Sequence, residues 1–184
     1  MKLSTLCSAI ALTAGLMASA HAADVVYAGD LTPAAQTGSA DGYSWFFDDG
    51  AGVEFWRLFA SAGSTVTLQV NRLDGDFDPA LSIYSGVTMA DTSEFLSFGD
   101  WGGLSYIDYL DDENPAFVAG PAGDPFGSFI APVTGFYTVA VGGSLSMDEG
   151  PYAYSISAVP EPETALMLGL GLAVVSLLRR RATV

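Results

Sequence analysis

Apolar and polar residues alternate with a period of two along most of the chain between residues 25 and 157, and that period predicts strands. Val66, Leu68 and Val70 alternate with Thr65, Thr67, Gln69 and Asn71, so one face of this segment points inward. Ala80–Tyr84, Phe136–Val141 and Tyr152–Ser157 repeat the pattern. In the segment 53–60, Val53, Phe55, Arg57 and Phe59 interleave with Glu54, Trp56, Leu58 and Ala60, which suits a strand buried on both faces. Weaker strand segments are Val25–Asp30, Ser44–Phe47, Leu104–Tyr109 and Gly127–Ala131. Turn clusters separate them, among them Asp48-Asp49-Gly50, Ala62-Gly63-Ser64 and Glu149-Gly150-Pro151. No long stretch carries apolar residues at helical spacing. The predicted fold is all-β, an antiparallel, jelly-roll-like β-sandwich. Its expected core holds Phe55, Leu68, Val70, Leu81, Ile83, Val139, Val141 and Ile156. Residues 86–127, rich in Gly, Asp and Pro, are too long for a hairpin loop and form a candidate insertion or binding region.

The alternation fails at both ends, where the chain reads as address labels. Lys2 precedes an apolar stretch from Leu6 to Met17, and Ala20-His21-Ala22 supplies a small-x-small site. Residues 1–22 therefore read as a signal peptide cut between Ala22 and Ala23. At the other end, Pro160-Glu161-Pro162 disfavours helix, and Ala165 to Leu178 is uncharged with only Ser176 polar. Arg179, Arg180 and Arg181 follow at once. Fourteen helical residues rise only ~21 Å against a hydrocarbon core of ~30 Å. Thr164 and the arginine stems make up the difference, so residues 164–178 are expected to be a short transmembrane helix. The arginine cluster places the extreme C-terminus in the cytoplasm and the domain outside. The expected layout is a signal peptide at 1–22, a sandwich at 23–158 and a tail at 159–184.

The order Pro-Glu-Pro, short apolar helix, terminal arginine cluster resembles the PEP-CTERM sorting signal. That resemblance implies recognition by an exosortase, a membrane protease or transpeptidase of Gram-negative bacteria that make exopolysaccharide. It implies a precursor held in the inner membrane with its domain in the periplasm, then a processed form at the cell surface or in the extracellular matrix.

Charge narrows the function of the middle. The 184 residues carry a formal net charge of −15. Between residues 23 and 158, Arg57 and Arg72 are the only cations against 19 carboxylates, a balance of −17. Nucleic acid is excluded as a partner, because phosphate binding needs clustered Lys and Arg. Cys7 and His21, the only Cys and His, both fall in the expected signal peptide. The remaining chain thus lacks a thiol nucleophile, a Ser-His-Asp triad and the ligands of a zinc site. No enzyme is expected; a carboxylate-pair glycosidase is the residual enzymatic reading.

Asp74-Gly75-Asp76-Phe77-Asp78 is the candidate metal loop, since carboxylates two apart around a Gly can converge on calcium. Asp111 and Asp112 would supply further ligands if the two loops share an edge. The same acids also suit ordinary turn capping. A calcium hand is rejected, because the position that needs Glu is Ser85. Among the aromatics, Trp101 lies between Gly99-Asp100 and Gly102-Gly103, a loop setting that would expose it to an extracellular polysaccharide. Trp56, within an alternating strand, reads as core.

The segments Gly75–Tyr84, Thr134–Val141 and Gly150–Ile156, with Asp111-Asp112 between them, are similar to bacterial pre-peptidase C-terminal domains. That likeness implies a non-catalytic β-sandwich module. From Gly86 to Leu110 this chain carries about twenty-five residues that such modules lack. The functional expectation is an exported, non-enzymatic surface or matrix protein, with a calcium-dependent carbohydrate-binding module as the alternative.

Overall fold

The computed structural model describes residues 23–41, 50, 52–114, 123–144 and 151–160. These form nine strands: β1 (Tyr27–Asp30), β2 (Gln36–Asp41), β3 (Glu54–Ala60), β4 (Thr65–Arg72), β5 (Pro79–Ser85), β6 (Ser105–Leu110), β7 (Phe126–Ile130), β8 (Gly135–Gly143) and β9 (Pro151–Pro160). A five-stranded sheet has the order β1-β3-β8-β5-β6, and a four-stranded sheet the order β2-β9-β4-β7. Only β5 and β6 are successive strands of one sheet; every other connection crosses to the opposite sheet. Neither sheet can therefore be completed without the other. Among the described residues there is no α-helix, and no helix long and apolar enough to cross a membrane. The apolar run 165–178 and the expected signal peptide lie outside the described residues.

The period of two accounts for the core. In β4, Val66, Leu68 and Val70 are fully buried and meet Leu81 and Ile83 of β5, Val139 and Val141 of β8, and Ile156 of β9 in one cluster. Seven of the eight expected core residues lie there. The eighth, Phe55, is buried on the other side of its sheet. There it packs with Val25, Tyr84, Phe95, Trp101 and Leu104 in a second cluster. The expectation of a strand buried on both faces thus holds for the first part of β3, whereas Phe59 near its end is exposed.

Three local readings need correction. β1 pairs with β3 in parallel, Tyr27 opposite Phe55 and Asp30 opposite Arg57, so the sandwich is not wholly antiparallel. The short loop 31–35 carries the chain into the other sheet, and a parallel neighbour follows. β2 was not expected, because Gln-Thr-Gly-Ser-Ala-Asp offers only Gly38 and Ala40 to the interior. The segment expected as a strand at Ser44–Phe47 lies outside the described residues. Finally, β9 continues two residues past the expected domain boundary, with Val159 opposite Thr67 and Pro160 opposite Val66.

Gly38 shows why β2 needs small residues. A Cβ built there would lie 2.5 Å from the Tyr154 hydroxyl and would also collide with the Glu54 carboxylate. Both groups are already engaged. Trp56 Nε1–H donates to the Tyr154 oxygen at 2.7 Å, and the Tyr154 hydroxyl and Ser39 N–H both donate to Glu54. Gly38→Ala should therefore cost about 1–3 kcal/mol through overpacking. Gly135→Ala meets nothing within 4 Å and should change stability by less than about 0.5 kcal/mol. Paired urea titrations of the two variants check this; equal losses would mean that the space around Gly38 is not what limits it.

Candidate metal centre at the acidic end

Strict alternation gives β4 one further inward position after Val70, and the residue there is Arg72. The guanidinium is buried, and its partners come from two segments, those just before β5 and β7. Nε donates to Asp124 Oδ1 at 2.6 Å, and the backbone N–H of Arg72 donates to Asp124 Oδ2 at 3.1 Å. Nη2 donates to the Gly123 carbonyl and lies 3.8 Å from Asp78 Oδ1. Asp78, only 2% exposed, accepts a 2.6 Å hydrogen bond on Oδ2 from Ser144 Oγ. Its Oδ1 has no hydrogen-bond donor.

Asp78 opens β5 and Asp111 follows the end of β6, and antiparallel pairing of these strands places the two carboxylates side by side. One oxygen from each of Asp78, Asp111 and Asp112 lies within 4.8 Å of the others. The Asp111 carboxyl receives Tyr109 Oη–H at 3.3 Å on Oδ2, while buried Oδ1 has no donor. Asp112 Oδ1 accepts from Gly123 N–H at 2.9 Å. Three acids thus face one another, graded from buried to exposed, with two oxygens lacking donors.

Electrostatics register the crowding. Burial, followed by the neighbouring charges of Asp112 and Asp78, pushes the Asp111 carboxyl from the ordinary 3.8 up to about 6. Burial is also the main cause that raises Asp78, against the opposing hydrogen bond from Ser144. The arrangement favours protons or a cation between these oxygens.

The loop expected to converge on an ion does so only in part. Asp74 is an exposed turn acid whose carboxylate accepts Ala153 N–H at 2.6 Å, and Asp76 is also exposed. Neither joins the three-carboxylate group, so the i, i+2, i+4 convergence on Asp74, Asp76 and Asp78 is not formed. Phe77 explains the split. Its ring is buried between the sheets and stacks on Tyr152 at 5.3 Å, pulling Asp78 inward while its neighbours stay in solvent.

Trp101 is also a correction, being 5% exposed and unable to offer a ring face to a sugar. Residues 86–104 fold down on the outer face of the five-stranded sheet. Trp101 lies edge-on to Phe95 at 5.1 Å and to Tyr84 at 6.1 Å. Ser82 Oγ–H donates to the Ser97 carbonyl and Thr88 Oγ1–H to the Gly102 carbonyl, fixing the excursion. The glycines beside Trp101 serve a tight turn, Gly102 and Gly103 having φ of 55° and 81°.

A cleft of about 380 Å³ opens near the same end, lined by Asp41, Val53 and Glu54 among others. Of the sorting residues, Pro160 closes β9, whereas Glu161, Pro162 and Arg179–Arg181 lie outside the described residues. Of the signal-cleavage residues, Ala20 and Ala22 also lie outside them. Ala23 is described, and its carbonyl accepts Thr92 N–H at 3.0 Å.

Residues 158–181 match the PEP-CTERM protein-sorting motif. No curated protein matches the chain. Among solved structures, the fold is similar to that of CorA, described as a surface-associated copper-binding protein of Methylomicrobium album BG8. That likeness has a TM-score of 0.55 at 13% identity, covering 74% of this chain and 99% of that one. The pre-peptidase C-terminal domain of a Bacillus anthracis collagenase is similar at a TM-score of 0.40 and 12% identity, over 73% of this chain and 97% of that one. PliG of Aeromonas hydrophila, a periplasmic inhibitor of g-type lysozyme, is similar at a TM-score of 0.42 and 17% identity. It covers 70% of this chain and 88% of its own.

The carboxylate group predicts a pH dependence of definite sign. The unfolded chain releases the Asp111 proton near 3.8 and the folded chain only near 6. Between those values the folded state binds more protons, so stability is fully present below about pH 4 and falls as pH rises through about 6. In chelator-containing buffer the melting temperature should drop across that window, and Asp111→Asn should flatten the drop. A variant as steep as the parent would assign the drop to the general surplus of carboxylates.

Proposed function

We propose that this protein is an exported, non-enzymatic surface or matrix component of an exopolysaccharide-producing Gram-negative bacterium, sorted and cut by an exosortase. The observation that carries the reading is the sorting motif at residues 158–181, with Pro160 as the last residue of a strand. The motif is therefore joined directly to a folded domain. A signal peptide at 1–22 would deliver the chain to the periplasm, and the run 164–178 would hold it in the inner membrane until processing. The absence of enzymatic function is supported by composition. Residues 23–160 contain no His, Cys or Lys, and Glu54 in the open cleft is occupied by Ser39 and Tyr154.

Two substitutions separate the parts of the tail. Pro160-Glu161-Pro162 replaced by Ala-Ala-Ala should leave the chain membrane-held and uncut, so precursor accumulates in the inner membrane. Arg179, Arg180 and Arg181 replaced by Ser should remove the stop to translocation and release full-length chain. Intact-mass analysis of matrix-associated protein decides the reading; residues 165–184 still present there would make the tail a permanent anchor.

A second reading concerns the acidic end, where Asp78, Asp111 and Asp112 would hold a calcium ion that keeps the surface form folded. CorA is described as copper-binding, but the present domain offers three carboxylates and no imidazole or thiolate, a donor set suited to a hard cation. Calcium at a hundredfold excess over its dissociation constant should stabilise the chain by about 2.7 kcal/mol. Asp112→Asn should abolish the gain and Asp76→Asn should leave it intact. A melting temperature unmoved by millimolar calcium, or moved equally in the Asp112 variant, would return these acids to plain turn duty.

A further inference from the structure

Exposed apolar groups occur in several places, Val26, Leu73, Met89 and Phe98 among them, but five gather at the end of the sandwich opposite the three-carboxylate group. One end gathers the close of β4, the starts of β5 and β7 and the close of β6. It carries Asp74, Asp76, Asp78, Asp111, Asp112, Glu113 and Asp124. The other end is formed by the turns 61–64 and 131–134 together with the close of β9. No Asp or Glu occurs in residues 31–40, 55–73, 125–144 or 151–160; the close of β5 and the start of β6 also reach this end, where Asp100 accepts Tyr106 N–H at 2.7 Å, and Glu161 and Glu163 follow Pro160 in sequence. Asp30, the carboxylate nearest along the strands, is held by Arg57 at 2.7 Å. Arg57 in turn lies over the Phe136 and Tyr27 rings at 5.9 and 5.7 Å.

This end exposes large apolar groups. Ile130 is 67% exposed, Phe59 55%, Val133 53%, Phe136 45% and Val159 43%. Phe59 and Phe136 face each other across β3 and β8 at 5.4 Å, on the stretch of sheet that the 86–104 excursion leaves bare. Ile130 and Val159 sit at the ends of β7 and β9 in the opposite sheet, and Val133 lies in the turn between β7 and β8. The five residues therefore occupy one end from both sheets, a distribution that single scattered apolar residues do not show.

The chain itself says what lies beneath them. Pro160 leaves the fold at this end, and the uncharged run begins at Ala165. Five residues reach at most ~18 Å even when fully extended. A domain tethered that closely to a membrane-spanning segment keeps its exit end at the headgroups, and β4 alone holds the acidic end ~26 Å further away. That distance is several Debye lengths in physiological salt. We propose that in the membrane-held precursor this end rests on the outer surface of the lipid bilayer, with Phe59, Ile130, Val133, Phe136 and Val159 at headgroup depth. The contact orients the domain and holds Pro160, the last residue of β9, close to the membrane surface. This rests on the reading of residues 164–178 as a membrane span.

The test uses the full-length chain with Cys7→Ser, which leaves no native cysteine, reconstituted into phosphatidylcholine vesicles containing nitroxide-labelled lipid. A fluorophore is attached through Ile130→Cys or, separately, through Asp76→Cys, and vesicle-bound protein is isolated by flotation. The Ile130 label should be quenched several-fold more than the Asp76 label. Adding Val133→Asp, a substitution in an exposed turn, should relieve that quenching without releasing the protein from the vesicles. Floated protein whose two labels are quenched equally, or not at all, overturns the proposal while leaving the membrane anchor standing. Quenching that appears only with co-reconstituted exosortase, or that disappears as the protein is diluted within the membrane, assigns the end to a protein partner and overturns it as well. Failure to float removes the anchor reading and this proposal together.

Discussion

A single buried guanidinium constrains the acidic half of this molecule. Arg72 occupies an inward position of β4, so its charge is withdrawn from water and must be answered by carboxylates brought in from elsewhere in the chain. Asp124 answers it from the segment before β7, and Asp78 approaches from the start of β5. A buried ion pair contributes little net stability, yet loss of one member leaves an uncompensated charge that costs about 3–5 kcal/mol. The ends of four strands are thereby tied to one point: β4 and β7 directly, β5 through Asp78, and β8 through Ser144. One cation cannot serve all the acids collected there. Burial first, and then the charges of Asp112 and Asp78, raise the Asp111 carboxyl.

The shortage at one end has a counterpart at the other. Arg57, the second cation of the domain, is paired with Asp30 at the close of β1. Asp78, Asp111, Asp112 and Asp124 gather around Arg72, while the close of β9 itself carries no carboxylate. For a chain whose next apolar segment begins five residues later, this separation matters physically. An eight-residue strand such as β4 spans ~26 Å, enough to hold the acidic end well away from the close of β9.

Much of the fold was legible because alternation is a geometric signal. Val66, Leu68 and Val70 could point nowhere but inward once Thr67 and Gln69 pointed outward, and the structure buries all three. The same rule, carried one step further, places Arg72 inside; its charge is what makes that position easy to overlook. β2 was illegible because Gly38 and Ala40 are chosen for what they lack, space being taken by Tyr154 and Glu54. The metal candidate was half legible. Spacing marked Asp74, Asp76 and Asp78 as neighbours, but burial of Phe77 decides which of them turns inward. The partners Asp111 and Asp112 arrive through strand pairing that no local window contains. Trp101 misled for a related reason, since flanking glycines signal a turn and not which side of it is wet.

The position of Pro160 also limits what processing can do to the domain. β9 is an interior strand, paired with β2 as far as Ile156 and with β4 as far as Pro160. Ile156 and Ala158 on it belong to the main core. A cut upstream of Pro160 would leave backbone groups of β4 without partners at that end and would strip apolar surface from the cluster between the sheets. A cut C-terminal to Pro160 removes none of this. Proline at that point donates no N–H to a neighbouring strand, so the sheet loses nothing by ending there. The matched sorting motif, which begins at residue 158, thus overlaps the last residues of the strand that terminates the sandwich. Cleavage beyond it detaches the apolar run and the arginines while both sheets remain complete.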